Sequence, residues 1–528
     1  MKNKIFLLTK KGIYFVLFFF ILITVLTKVS WLFRGNSLEC REIIVGYRNI
    51  KKIDVAFIGA SNWIDYFSPL EAFNEQGIVS YNYATLGGPF QLYKYYIKDA
   101  RRKNPQLYVV DIRMLSSVRE ELLGDWDVRE WTDSMPLLSK ERIAGITSYL
   151  SAHETNNEID TTSLYFDLIK YHSNIAALGQ EQQWRYMFTQ NIGDYKKGYM
   201  PLLGANPLPK PKYSDVRTEL TEAQLSALNE LLDYCDDIKA NVVFVLGPYL
   251  TLNNVNGIYN AAGDIITSRG YNFINFNNYL DEMKIDCETD FYEQIHLNYI
   301  GSKKYTHYLT SYLKEHYSIP DRRGDDEYSQ WHEDYKRLAD EEIEWERLNK
   351  ERVESYKEAK KIGEIIRNIN DFDCWYSLIR NGNFTVIIKK NGAITDDTVS
   401  SKYMLFFDRY KIRNDESNYI EAWVEDECVS DLSSNNVLDI QIPKHDFGMG
   451  IYQCAGQAGK NSDLIIADTN YNKGDDVQVV VIDNNYLSVI DNVGLVLDGE
   501  TGLISLNRHE LENNALFAEG MIWKLRTD

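Results

Sequence analysis

The sequence predicts an α/β domain built on a parallel sheet, with a membrane-spanning helix before it and a β-rich domain after it. An apolar run occupies residues 12–33. From residue 53, short apolar segments alternate with amphipathic ones, which is typical of βαβ units. From about residue 371, apolar runs lie between Asn, Asp and Gly residues instead, a pattern that favours strands joined by turns. A chain of 528 residues also exceeds what one hydrophobic core serves.

The charge and the cysteine content argue against several classes of function. The formal net charge is −20. This argues against nucleic acid as a partner, because phosphate backbones require a basic face, and against electrostatic docking on anionic lipid. The six cysteines are scattered without a CxxC pair, and there are only eight histidines, so we expect no zinc site and no other cofactor. An even number of cysteines in an extracytoplasmic domain is compatible with disulfide bonds, but six independent thiols fit the sequence equally well.

Residues 1–34 predict a cytoplasmic tip and an uncleaved, single-pass anchor. The apolar run supplies roughly the 20 residues that a bilayer requires, and Lys28 near its end can extend its amine to the interface. Lys10 and Lys11 precede the run, so the positive-inside rule places the N-terminus in the cytoplasm and the body outside the plasma membrane. The competing interpretation is a cleaved signal peptide, but the bulky residues at 29–34 do not suit a cleavage site.

Residues 50–320 carry the pattern of the parallel α/β domain. Capping sequences that begin at Ser68 and Thr221 predict helix starts. Residues 115–215 are less regular, which indicates an insertion over the sheet. The predicted strands are residues 53–58, 78–83, 107–112, 241–246 and 271–276, and the predicted helices are residues 90–103, 221–238 and 299–316.

Two further regions follow this domain. Residues 321–370 are dense in charge, with apolar residues at helical spacing but no sustained heptad, and predict a charged helical linker rather than a coiled coil. Residues 371–528 predict a β-rich accessory domain. Its predicted strands include residues 384–388, 403–407, 437–442 and 477–482.

A candidate nucleophile follows the first predicted strand, in the sequence Gly59-Ala60-Ser61. Because the carboxyl end of a parallel strand faces the crevice in which such sheets bind ligands, a serine there can meet a substrate. Taken alone the motif is weak, since most serines in such positions cap helices. Trp63 and Tyr66 come next. They could line a sugar subsite, but packing in the core is the simpler interpretation of both.

A candidate base and acid lie three residues apart, at Glu293 and His296, between the last predicted strand and the last predicted helix. A serine nucleophile needs a base to accept its proton, and the base needs a carboxylate to fix its tautomer. One short loop can supply both groups. His172 and Asp111 are secondary candidates, for which a structural role is the simpler interpretation.

Together these blocks resemble the SGNH (GDSL-type) hydrolases, and more closely the membrane-anchored, DltD-like SGNH proteins of Gram-positive bacteria. The resemblance covers about residues 50–330. The phrases that carry it are residues 57–61, 81–82 and 290–301. It implies an α/β/α sandwich in which Ser61 is the nucleophile, His296 the base and Glu293 the orienting acid. The acid is Glu where the family usually has Asp, and its longer side chain can still reach.

The resemblance also implies an oxyanion hole built from the backbone N–H groups of Ser61 and Gly87. The family's third donor, an asparagine shortly after the third strand, is missing from the sequence at 111–115. Arg113 and Asn62 are the candidate substitutes. Losing one such donor costs roughly 3 kcal/mol in other serine enzymes, which favours a slow or specialised transferase over an efficient hydrolase.

The implied activity is that of a cell-surface serine O-acyltransferase or carbohydrate esterase acting on a wall or secreted polysaccharide, for example a teichoic-acid-like polymer. The resemblance further implies a membrane-embedded acyltransferase as partner, because a domain outside the membrane has no acyl donor of its own. The alternative is a non-catalytic surface adaptor that binds glycan or protein through a degenerate SGNH domain and the β-domain.

The C-terminal region resembles the interleukin-like EMT inducer family over one motif, residues 472–483 followed by residues 489–491. This resemblance implies a β-domain that binds carbohydrate or a partner. An accessory β-sandwich without a ligand is the alternative.

Overall fold

The computed structural model divides the chain into two compact units. The first comprises Met1–Pro201, Pro209–Asp286 and Gln294–Glu344, and the second comprises Leu202–Leu208, Cys287–Glu293 and Trp345–Asp528. The structure describes residues 2–35, 37–121, 125–153, 160–177, 195–205, 210–251, 253–391, 418–424, 427–432, 437–442, 450–456, 463–466, 469–484, 488–498, 501 and 503–511. The strand predicted at 403–407 lies outside them.

A five-stranded parallel sheet forms the centre of the first unit, which confirms the predicted α/β arrangement. The strands are β1 Val55–Gly59, β2 Ser80–Ala84, β3 Leu107–Asp111, β4 Val242–Leu246 and β5 Asn272–Asn275. Their order is β2-β1-β3-β4-β5. The topological switch therefore lies between β1 and β3, where open α/β sheets bind their ligands.

Four of these strands, β1 to β4, consist entirely of buried residues. This is expected when helices cover both faces of a parallel sheet, because such strands are apolar throughout rather than alternating. The ends of each strand lie within a few residues of the predicted bounds. Such differences are expected, because sequence composition indicates that a strand is present more reliably than it indicates where the strand ends.

Helices surround the sheet, and their starts follow the predicted caps. Ser68 and Thr221 each accept a hydrogen bond from a backbone N–H three residues later. The helices are α1 Lys2–Phe33, α2 Leu38–Asn49, α3 Ser61–Tyr66, α4 Pro69–Gln76, α5 Tyr93–Ala100, α6 Trp126–Thr132, α7 Lys140–Ser151, α8 Thr162–Tyr165, α9 Leu168–Tyr171, α10 Glu222–Asp237, α11 Asn253–Ser268, α12 Tyr299–His316, α13 Ser329–Arg367 and α14 Phe372–Asn381. Short 3₁₀ turns include Arg113–Ser117, His172–Ala177 and Phe276–Tyr279.

Helix α1 contains the one stretch among the described residues that is long and apolar enough to cross a membrane. This stretch, Lys11–Phe33, has 23 residues, and an 18-residue window within it has a mean hydropathy of 2.3. Length and composition alone support a membrane span here.

Most of the charged segment at residues 321–370 is helical and forms α13. The division between the two units falls within this helix, between residues 344 and 345. Trp331, Leu338 and Ile366 are buried, so the helix is not surrounded by solvent along its length.

The second unit contains antiparallel sheets, which confirms its predicted β-rich character. One sheet has the order β10-β9-β8-β15-β16-β17 and another the order β11-β12-β13-β14. The strands are β8 Phe384–Asn391, β9 Asn418–Val424, β10 Glu427–Leu432, β11 Val437–Ile442, β12 Gly450–Gly456, β13 Leu464–Ile466, β14 Thr469–Asn470, β15 Val477–Asp483, β16 Ser488–Leu497 and β17 Ile504–Arg508. Two further short strands among the described residues are β6 Phe291–Glu293 and β7 His296–Leu297.

Helix α14 lies within the region for which only strands are predicted. Its side chains Phe372, Trp375, Tyr376 and Ile379 recur at helical spacing and pack in the core with β8, β15 and β16. The spacing is the sequence signal for this helix, and it indicates an amphipathic helix rather than a strand.

Candidate functional site

The site begins where β1 ends. Ser61 follows this strand directly and is the first residue of α3. Gly59 permits the close approach of the next turn, because a Cβ atom at this position would lie 2.5 Å from Cδ1 of the Trp63 ring. Trp63 itself is fully buried and donates its indole N–H to the Ile58 carbonyl at 3.0 Å. It is a core residue that fixes the turn rather than a sugar platform.

His296 lies directly beside this serine. The Oγ atom of Ser61 is 2.7 Å from Nε2 of His296, although the two residues are 235 positions apart in the sequence. When Nε2 carries no proton it accepts the hydrogen bond from the serine hydroxyl, which is the arrangement that general-base activation of a nucleophile requires. The structure thus brings together the predicted nucleophile and the predicted base.

The predicted orienting acid, Glu293, is the last residue of β6 and is half-buried. Its contact with the imidazole stays a prediction. The structure adds a carboxylate that sequence reasoning missed: Oδ2 of Asp65 lies 3.8 Å from Nε2 of His296, and the Asp65 side chain is only 5% exposed. The signal for it was the four-residue spacing between Ser61 and Asp65, which places both on one face of a helix.

Arg113 supplies a positive charge at the same point. Its Nη2 atom is 3.4 Å from Oγ of Ser61, and its Nη1 atom donates to the Ile295 carbonyl. A buried guanidinium beside the serine can stabilise negative charge that develops on an oxygen there. Of the two candidate substitutes for the missing asparagine, Arg113 therefore reaches the nucleophile.

Asn62 and Gly87, the other predicted oxyanion residues, are placed differently. Asn62 is 1% exposed, and neither polar atom of its side chain forms a hydrogen bond to a described residue. Asn62 lies close enough to the Asp111 carboxyl to lower its pKa, but the geometry between the two side chains is not that of a hydrogen bond. Gly87 has a φ of 57°, a left-handed conformation that glycine adopts without strain, and it lines a nearby pocket.

Buried polar groups hold the strand ends that carry these residues. Asp111 accepts the backbone N–H groups of Arg113 at 2.7 Å and Gly247 at 2.8 Å. Burial raises the pKa of Asp111, and the charge of Arg113 opposes that rise. The Tyr66 hydroxyl lies 2.7 Å from the carbonyl oxygens of Pro248 and Ile295. Asp111 and Tyr66 thereby position Arg113 and the loop before His296.

An open pocket of about 240 Å³ adjoins the Gly87 loop and the turn that begins at Arg113. Its lining mixes aromatic, apolar and hydrogen-bonding side chains: Gly87, Pro89, Phe90, Gln91, Met114, Ser117, Arg119, Glu121, Tyr149 and His153.

His153 is a pocket residue that carried no pattern in the sequence. Its Nδ1 donates to the Tyr149 carbonyl at 2.6 Å, which leaves Nε2 to accept from Nε2 of Gln91 at 3.3 Å. By contrast, His172 is exposed and contacts the Ile169 carbonyl of its own turn.

Comparison with known proteins adds no family assignment. No protein-family model matches the chain, and no curated protein is significantly similar to it. The interpretation of the site consequently rests on its geometry. Among the described residues, no group of three His, Cys, Asp or Glu side chains is arranged to hold a metal ion.

Proposed function

We propose that the chain is a membrane-anchored serine esterase or O-acyltransferase of the SGNH type, whose body lies outside the plasma membrane. The observation that carries this proposal is the 2.7 Å contact between Ser61 Oγ and His296 Nε2 at the carboxyl end of β1. That contact lies beside the switch point of a parallel sheet, which is where such sheets perform chemistry.

The geometry supports covalent catalysis in two stages. Ser61 Oγ attacks the carbonyl carbon of an ester while its proton passes to His296 Nε2. The carbonyl oxygen becomes an oxyanion that Arg113 stabilises, together with the predicted N–H groups of Ser61 and Gly87. The bond to the leaving alcohol then breaks, His296 returns the proton to that oxygen, and the acyl group remains on Ser61.

The second stage decides between the two activities. Water or a sugar hydroxyl attacks the acyl carbon and gives its proton to His296, after which Ser61 leaves as the free hydroxyl. Water makes the protein an esterase, and a sugar hydroxyl makes it a transferase. In either case the proposed role of Glu293 is to fix the imidazole tautomer, and Asp65 adds negative charge that favours the imidazolium formed in each stage.

The pocket beside Gly87 supports a carbohydrate substrate. Sugar rings present both hydroxyls and apolar faces, and the pocket offers Gln91 and His153 for the former and Phe90 and Tyr149 for the latter. We therefore propose a wall or secreted polysaccharide as substrate and a membrane-embedded acyltransferase as the source of acyl groups.

A non-catalytic adaptor is the second candidate, and one observation favours it. The Arg113 guanidinium already serves the Ile295 carbonyl, so its freedom to follow a developing charge is limited. In that case the pocket and the C-terminal β-domain would bind glycan without turnover.

A fluorophosphonate probe distinguishes the two candidates, because it labels only an activated serine. We expect the full-length protein to be labelled at Ser61, and Ser61→Ala to abolish labelling. Ser151→Ala is the matched control, since this exposed serine lies in the last turn of α7. If the wild-type protein is folded but is not labelled, the enzyme proposal is rejected in favour of the adaptor.

A further inference from the structure

The carboxyl-terminal end of α1 is part of the folded body. Residues of this helix from Ile13 to Leu26 are broadly exposed, whereas Ser30, Trp31 and Phe33 are buried, as is Arg34 directly after it. The segment with the length and hydropathy of a membrane span is Lys11–Phe33, so Ser30, Trp31 and Phe33 belong to its carboxyl-terminal end. Whatever surrounds the last turn of this helix therefore lies at the level where a bilayer would end.

Buried polar contacts fix which residues surround that turn. The Asp167 carboxylate accepts from Oγ of Ser30 at 2.7 Å and from Nε of Arg34. The Arg34 guanidinium also donates to the carbonyls of Asp133 and Met135, at 2.8 and 2.6 Å. The segment that follows α6 and the residue that precedes α9 thus contact the end of α1.

Large apolar side chains are exposed on the outer side of these segments, beside exposed polar ones, although the inner side of the same segments is already used for packing. Along α8 and α9, Leu164, Asp167 and Tyr171 are buried, while Phe166 and Ile169 are 63% and 48% exposed. A water-facing helix carries polar residues on its outer side. Exposed large apolar side chains recur between α6 and the 3₁₀ turn His172–Ala177, and we call this set the collar: Trp126, Leu138, Ile143, Phe166, Ile169 and Ile175.

We propose that the collar inserts into the interfacial layer of the lipid bilayer in which α1 is anchored. The proposal rests on the membrane anchor of the proposed function, and goes beyond it by assigning a second contact with lipid. Aromatic and aliphatic side chains beside a membrane helix partition into the headgroup boundary. Because α1 already holds the collar at the membrane, modest insertion suffices without the basic surface that this chain of net charge −20 lacks.

The consequence is a fixed distance between the membrane and the substrate pocket. Helix α7 carries Ile143 of the collar and Tyr149 of the pocket. At 1.5 Å per residue these positions are about 9 Å apart along the helix axis. A collar in the lipid interface would hold the pocket close to the membrane surface, within reach of acyl groups delivered there.

Photocrosslinking in vesicles tests the collar. p-Benzoylphenylalanine replaces Phe166, Ile169 or Ile175, one at a time, in the full-length protein reconstituted in phosphatidylethanolamine–phosphatidylglycerol vesicles. We expect several-fold more lipid adduct at these positions than at Leu225 or Tyr279, which are exposed apolar residues elsewhere in the first unit. Equal adduct at both groups of positions would overturn the proposal.

Two further readouts separate the remaining outcomes. In native membranes, a crosslink from the collar to another protein in preference to lipid would assign the surface to a protein partner and reject the lipid proposal. In the vesicles, Ile169→Cys should react several-fold more slowly with a water-soluble maleimide than Leu225→Cys. Fluorophosphonate labelling of Ser61 on the same samples tests the proposed chemistry separately from the collar.

Discussion

Two histidines of this molecule stand beside a carboxylate at nearly equal solvent exposure. In the first unit, the His296 side chain is 17% exposed and lies 3.8 Å from Asp65. In the second unit, the His509 side chain is 16% exposed and lies 2.6 Å from Asp475. The closer pair is the one in the antiparallel β-unit, so distance to a carboxylate and burial do not by themselves identify a catalytic histidine.

The difference lies in what else each region contains. His296 contacts the Ser61 hydroxyl at the end of a parallel strand. Near His509, the buried Asp491 accepts from Trp375 Nε1 at 3.0 Å and contacts the guanidinium groups of Arg367 and Arg508 at 3.3 Å. Charges that neutralise one another stabilise a fold, whereas charges arranged around a reactive hydroxyl are available for chemistry. Activity and stability should therefore respond to different substitutions.

The largest expected effect is on turnover. Ser61→Ala or His296→Ala should each lower hydrolysis of a small ester such as p-nitrophenyl acetate by about four orders of magnitude, because neither group works without the other. The double variant should be no worse than either single variant. His509→Gln is the matched control and should retain full activity; an equal loss in that variant would remove the distinction between the two regions.

The parallel sheet and the serine were predictable because local sequence specifies both. Apolar runs mark the strands, and Gly59 before Ser61 marks a turn at a strand end. Asp65 and Arg113 were harder to assign, because their proximity to Ser61 depends on how α3 and the turn after β3 meet in space.

The pocket histidine and helix α14 were missed for different reasons. His153 acquires its role from Gln91 and Tyr149, which are contacts of tertiary structure. Helix α14 did carry a signal, at Phe372, Trp375, Tyr376 and Ile379, but the turn-rich composition around it favoured strands.

The buried ion pair beneath the collar should affect stability instead of turnover. Asp167→Ala leaves the guanidinium of Arg34 buried without its carboxylate, which typically costs about 3–5 kcal/mol. Burial raises the pKa of Asp167, but Arg34 and the Ser30 hydroxyl outweigh it, so the pKa is lowered overall. The stabilisation is therefore present at neutral pH and is lost as the pH falls through the lowered pKa.

Denaturant unfolding of the detergent-solubilised chain measures this loss. Asp237→Ala, at an exposed position at the end of α10, is the control and should leave the transition nearly unchanged. Folded Asp167→Ala protein should still be labelled at Ser61 by the fluorophosphonate. If Asp167→Ala stays fully stable but loses labelling, the ion pair between Arg34 and Asp167 supports activity and not stability, contrary to this prediction.

Arg113 is expected to give a smaller effect, and on turnover. Arg113→Gln removes the positive charge near Ser61 Oγ and should lower kcat by about two orders of magnitude, equivalent to roughly 3 kcal/mol. Arg113→Lys should retain part of the activity, since it keeps charge but loses the planar donor pair. If Arg113→Gln lowers the unfolding midpoint and leaves kcat intact, the guanidinium serves only the Ile295 carbonyl.

The smallest expected effect concerns a group of charges between α4, α12 and the start of α13, in which the two carboxylates are largely buried and the ammonium group is partly exposed. Lys303 lies 3.4 Å from Glu71 and 3.1 Å from Glu342. Burial and the neighbouring Glu71 raise the pKa of Glu342 to about 7, although Lys303 opposes the rise. One ammonium group does not compensate two buried carboxylates, so the folded state favours a protonated Glu342 at neutral pH.

The sign of the resulting pH dependence follows from this raised pKa. A carboxyl that holds its proton more tightly when folded contributes stability below its ordinary pKa of 4.5 and loses that contribution as the pH rises through about 7. Glu342→Gln is neutral at every pH, so it should match the wild type near pH 5 and exceed it by about 1 kcal/mol or more at pH 8. Glu341→Gln, at the adjacent and more exposed position, is the control and should follow the wild-type curve. Unfolding midpoints recorded between pH 5 and 8 decide the point. Parallel curves for wild type and Glu342→Gln would mean that Glu342 is ionised throughout and is compensated by its partner, as Asp491 is by Arg367 and Arg508.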